Sequence, residues 1–117
     1  MADVRIFHNP NCSTSRFSME TAEEMGVDID TVLYLKTEPT EAELLDLIGI
    51  LEDPPADLVR KDGYFKELGL DEGDYTTPEA VAALLAEHTR LMQRPVLVRD
   101  GKAIIGRPKD RVAAFLA

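Results

Sequence analysis

The stretch V4-R-I-F-H-N-P-N-C12-S-T-S-R16 organises the reading of the whole chain. Val4 to Phe7 is a short apolar strand. The polar residues after it form a tight loop, stiffened by Pro10, and a helix opens at Cys12, the only cysteine in the sequence. A helix start carries unpaired N–H groups and the positive end of the helix dipole. A thiol held there ionises more readily, and the thiolate is the nucleophile. Ser13, Thr14 and Ser15 follow with hydroxyls and free amides that suit an oxyanion. His8 and Arg16 can add positive charge nearby.

A lone cysteine is most often a small buried hydrophobe. Here its neighbours are Asn11 and Ser13, which argues against a core position. A zinc site needs three or four ligands, and His8, Cys12 and the distant His88 make a poor set, so the expectation is no metal. No spacing supports a serine nucleophile with a histidine base.

At 117 residues the chain suits a single domain with its own core. Its hydrophobic share of 44% against 30% charged residues is an ordinary soluble balance. One cysteine rules out an internal disulfide, and neither a signal-like start nor a membrane-length apolar run is evident. Together these suggest a reducing cytoplasm and no membrane partner. A net charge of −9 argues against nucleic acid. It does not exclude an anionic substrate, because surface charges are screened over about 8 Å and a local arginine cluster can still hold one.

The apolar steps Phe17, Thr21 and Met25 predict a helix over 14–25, stopped by Gly26. The run TVLYL, 31–35, predicts a strand covered on both faces, parallel to the first. Thr40 and Glu43 form a capping box for a helix bearing Leu44, Leu47, Ile48 and Leu51. Asp53-Pro54-Pro55 starts a short helix toward Arg60 or Lys61, and Tyr64 to Leu68 adds one or two turns. Thr77-Pro78 opens a helix to about residue 89 with Val81, Leu84, Leu85 and His88 on one face; His88 reads as a packed or partly exposed histidine, not a ligand. Strands at 96–99 and 102–105 flank the hairpin signal Asp100-Gly101, and a last helix carries Val112, Phe115 and Leu116. The order predicts an α/β, thioredoxin-like fold: a mixed four-stranded sheet flanked by helices, with a helical insertion at about 40–90.

Four motifs then act together: HNPNCSTSR at 8–16, LVRK at 58–61, QRPV at 93–96 and GRPK at 106–109. In this order and spacing the sequence resembles arsenate reductases of the glutaredoxin-coupled ArsC type and the related ArsC-like proteins, over nearly its whole length. The resemblance implies that Cys12 attacks the arsenic of arsenate. It implies that Arg60, Arg94 and Arg107 bind the oxyanion, that His8 and Ser15 help lower the thiol pKa, and that Pro95 is a cis-proline facing the cysteine. It implies no bound cofactor, with glutathione as reductant and glutaredoxin as partner. The longer members of the family it resembles continue past Ala117, where this sequence stops. Two further readings stay open. One is a glutathione-dependent thiol oxidoreductase acting on another substrate. The other is a regulatory protein of the kind that binds RNA polymerase, although such proteins carry Cys-x-x-Cys where this chain has Ser15.

Overall fold

The computed structural model describes residues 2–117. Strand β1 (Val4–Phe7) leads into α1 (Ser13–Glu24), and β2 (Ile29–Val32) returns parallel to β1 with Phe7 opposite Val32. Helices α2 (Glu41–Ile50), α3 (Gly63–Glu67) and α4 (Pro78–Glu87) follow. The hairpin of β3 (Val96–Arg99) and β4 (Lys102–Ile105) and then α5 (Asp110–Leu116) complete the fold. The sheet order is β2-β1-β3-β4, with β3 antiparallel to both neighbours. This is the mixed sheet of a thioredoxin-like fold. No helix among the described residues is long and apolar enough to cross a membrane.

The strands alternate their side chains between two cores, as a period of two requires. Val4, Ile6, Leu97 and Ile104 point to the side covered by α1 and α5, where Ala22, Val112 and Leu116 meet them. Val96, Ala103 and Ile105 point to the other side, against Leu44, Leu47 and Ile48 of α2 and Val81 and Leu85 of α4. Burying each large side chain contributes about 1.5–3 kcal/mol. The Thr40–Glu43 capping box forms in both directions, at 3.1 Å each way. Asp100 and Gly101 both have positive φ, 54° and 76°, the backbone that a tight hairpin turn needs.

Three sequence expectations change. The buried face of α1 consists of Ser15, Ser18 and Ala22, while Phe17 and Met25 are 38% and 41% exposed. Small residues let the helix lie close to the sheet, and Ser18 satisfies its hydroxyl on the Ser15 carbonyl at 2.6 Å. The TVLYL run is not a strand covered on both faces. The strand is Ile29–Val32 at the sheet edge, and the chain turns at Leu33, whose carbonyl accepts from the amides of both Lys36 and Thr37. The run is apolar because Tyr34 enters the core after the strand has ended. The expected helix before Arg60 contracts to a 3₁₀ segment, Pro55–Leu58.

Pairing collects one set of residues at one end of the sheet. β1 and β2 both finish there, β3 starts there opposite Phe7, and β4 finishes opposite Val96. The segments after β1 (His8–Cys12), after β2 (Leu33–Tyr34), before β3 (Arg94–Pro95) and after β4 (Gly106–Arg107) therefore meet. Arg60 joins them because Val59 bridges Met92, with Arg60 N–H on the Leu91 carbonyl at 2.7 Å.

Gly106 sits where these segments are tightest. A Cβ there would lie 2.7 Å from Pro95 Cγ, 3.0 Å from Leu97 Cδ1 and 3.2 Å from Val112 Cγ2. The nearest of these belongs to a proline ring that cannot swing aside. Gly106→Ala is expected to cost about 1–3 kcal/mol by overpacking, read as a lower urea midpoint at unchanged slope. A variant as stable as wild type would show that this junction is looser than described.

Candidate active site

Cys12 is the N-cap of α1, with extended backbone and no side-chain cap of its own. Its carbonyl accepts the Arg16 N–H at 3.0 Å, so the helix starts correctly while the next amides remain free to face the sulfur. The loop before it is closed by Cys12 N–H on the Asn9 carbonyl, 3.0 Å, and by Asn11 N–H on Asn9 Oδ1, 2.9 Å. Cys12 is only 8% exposed, more buried than its polar sequence neighbours suggested. Its surroundings are nonetheless charged, since Arg107 Nη2 donates to Sγ at 3.3 Å.

Two opposed effects act on the thiol. Burial, the largest single influence, pushes its pKa up. Against it act the Arg94 guanidinium, by a looser hydrogen bond and by charge, and the backbone amides of Ser15 and Thr14. The combination wins and the Cys12 pKa lies below its ordinary value. The Arg107 contact is the one with full hydrogen-bond geometry, and it acts in the same direction.

The three arginines taken from distant motifs converge. Arg107 is fixed by its Nε on the Arg94 carbonyl at 2.7 Å, which also ties two of the motifs together. Arg60 pairs with Asp62 at 3.0 Å. Its pKa is lowered by burial first, and then by the charges of Arg94 and, further down, Arg107. Such mutual influence puts the three guanidiniums within range of one another's charge. Peptide bonds 94–95 and 107–108 are both cis, so Pro95 has the form that the resemblance implied, and Pro108 shares it.

His8 and Ser15 lie beside the thiol but act differently from a simple charge. Burial, then the Arg16 charge, lowers the His8 pKa, so the imidazole is neutral near pH 7 and adds no positive charge to the sulfur. Ser15 is fully buried. Its Oγ accepts the Asn9 N–H at 3.0 Å and is 2.6 Å from His8 Nδ1, to which it can donate. The Ser15 hydroxyl therefore holds the loop, while its backbone amide faces Sγ. Arg16 also braces the loop, donating to the Pro10 carbonyl at 2.7 Å. Among the described residues no group of His, Cys, Asp or Glu side chains could hold a metal ion.

The family model for the ArsC family matches residues 7–115. The chain belongs to the ArsC family. An arsenate reductase of Neisseria meningitidis serogroup A is 39% identical over 118 aligned positions, covering 99% of this chain and all of that protein. An uncharacterized Escherichia coli K12 protein, YfgD, is 41% identical over 111 positions, 93% of this chain and 92% of its own. The arsenate reductase structure from Vibrio cholerae superposes with a TM-score of 0.84 at 36% identity, covering 97% of each chain.

Within this ArsC site several residues escaped the sequence reading. Asp53 accepts the Ile105 N–H at 2.9 Å and pairs with Arg111 at 2.9 Å. Arg111 in turn donates to the Arg107 carbonyl at 3.2 Å, so the pair supports the segment that carries Arg107. Tyr34 is 0% exposed, and its hydroxyl closes no hydrogen bond of full geometry; Arg94 Nε is the other buried polar atom so placed among the described residues. A tyrosine inside an otherwise apolar run was the available signal for the first. Nothing in the sequence links Asp53 to Arg111.

Ser15→Ala is expected to destabilise the protein by about 1–3 kcal/mol, because it leaves the Asn9 N–H unpaired in a buried loop. Urea unfolding measures it, and an unchanged midpoint would contradict the bracing role.

Proposed function

We propose that this ArsC protein reduces arsenate to arsenite, with Cys12 as nucleophile and with glutathione and glutaredoxin supplying the reducing thiols. The observation that carries the reading is a buried sulfur 3.3 Å from the Arg107 guanidinium, at a helix start, with Arg94 and Arg60 acting on the same site. Its relatives named as arsenate reductases support the choice of arsenate among tetrahedral oxyanions.

Arginine keeps its charge and offers a planar fork suited to a tetrahedral oxyanion. The three guanidiniums neutralise the substrate and the further charge that develops as the thiolate attacks. Cys12 forms a bond to arsenic(V), and one oxygen leaves as water after taking up protons. A glutathione thiolate then attacks the adduct. The two sulfurs are oxidised to a mixed disulfide, and their electron pair reduces arsenic(V) to arsenic(III), released as arsenite. Glutaredoxin removes glutathione from Cys12 by thiol–disulfide exchange. With one cysteine in the chain, no internal thiol can resolve the adduct. A reducing compartment such as the cytoplasm keeps Cys12 available for the next turnover.

Arsenate-dependent NADPH consumption, coupled through glutathione reductase and glutaredoxin, is expected for wild type. It should fall to the uncatalysed rate in Cys12→Ser. Absence of consumption with active coupling enzymes would remove arsenate as the substrate, and activity surviving in Cys12→Ser would remove the nucleophile.

A further inference from the structure

We propose that the Tyr34 hydroxyl is a direct hydrogen-bonding ligand of the oxyanion held over Cys12, which makes Tyr34 a substrate-binding residue alongside the three arginines. The inference rests on the oxyanion reading of the site and extends it to a residue outside the four motifs.

Placement comes first. Tyr34 follows β2 at the sheet end where β1 delivers the Cys12 loop, and the two segments are joined by His8 N–H on the Val32 carbonyl at 2.9 Å. Its ring is packed in the core with Leu58, Val59, Leu91, Met92 and Val96, so its orientation is fixed. Its hydroxyl lies within range of the site: the charges of Arg94, Cys12 and Arg60 all act on it, and the Asn9 side chain makes a looser hydrogen bond to it. Asn9 Oδ1 is already occupied by the Asn11 N–H, so the Asn9 amide nitrogen is the group that approaches the phenol oxygen, and the tyrosine O–H has no acceptor of full hydrogen-bond geometry among the described residues.

A fully buried hydroxyl whose O–H has no well-formed acceptor is a cost to folding. Phenylalanine would fill the same apolar space without it. The unpartnered Nε of Arg94 is a second buried polar atom in the same cluster. Two such atoms beside one reactive sulfur fit a ligand that completes their bonding, as sites of function often carry a stability cost. Burial, the leading influence, holds the phenol pKa above its ordinary value, so the group stays protonated and can donate near pH 7. Arginine only donates. Arsenate near neutral pH carries both ionised oxygens and a hydroxyl. A phenol can donate to the first or accept from the second, which no arginine can do.

The test measures protection of Cys12 from iodoacetamide by increasing arsenate in wild type and Tyr34→Phe, together with each protein's melting temperature. Arsenate is expected to protect wild type. Protection should need about ten- to a hundredfold more arsenate in Tyr34→Phe, the range for a lost hydrogen bond to a charged group. The melting temperature of the variant should equal or exceed that of wild type. Equal protection in the two proteins would overturn the proposal, as would no protection of wild type. Weaker protection with a lowered melting temperature would mark the hydroxyl as structural and overturn it too. If arsenate protects as expected but is not turned over, the reductase reading fails while the ligand role of Tyr34 stands.

Discussion

The site depends on making a buried sulfur easier to ionise. Taking a thiolate out of water is unfavourable, and Cys12 is almost wholly covered. The cost is offset locally by amides at the start of α1 and by guanidiniums that reach the sulfur from the segments before β3 and after β4. The protein as a whole is strongly acidic, with 22 acidic residues against 13 basic ones. Its reactivity is therefore set by placement, not by net charge. The Arg94 and Arg107 guanidiniums, which would repel one another on an open surface, are brought together by backbone pairing and share the Cys12 sulfur as a partner, while Arg60 is also paired with Asp62.

The sheet performs that placement. A parallel pair and an antiparallel hairpin share one end, so four chain segments far apart in sequence meet there. The 3₁₀ segment at Pro55–Leu58 adds a fifth through the bridge at Val59 and Met92. The arginines are then cross-tied rather than merely adjacent: Arg107 is held on the Arg94 carbonyl, and Arg111 with Asp53 holds the Arg107 carbonyl from behind. Rigid support of this kind is what a preorganised charge site requires. It also gives Gly106 its role, because the close approach of Pro95 leaves no room for a side chain.

Local signals were legible in the sequence and long-range ones were not. The Thr40–Glu43 box, the Asp100-Gly101 turn and the helix start at Cys12 are each specified within a few residues, and the structure has all three. The packing face of α1 is not legible, because its buried residues are small serines and an alanine that carry little hydrophobic signal. The edge position of β2 depends on which strands pair, which no window of sequence contains. The sulfur's neighbours divide in the same way. The helix amides follow from the local pattern around Cys12. The convergence of Arg60, Arg94 and Arg107 was legible only through the resemblance of four motifs. The neutral state of His8 depends on burial and on Arg16, and Tyr34 depends on where the chain leaves the sheet edge.

The most direct measurement is the ultraviolet titration of the Cys12 thiolate in wild type, Arg94→Ala and Arg107→Ala. Cys12→Ser serves as the blank that removes the tyrosine signal. The wild-type midpoint should fall below the ordinary value of a free thiol, and removal of either guanidinium should move it upward. A wild-type midpoint at or above the ordinary value, or one indifferent to both arginines, would contradict the account of how this sulfur is made reactive.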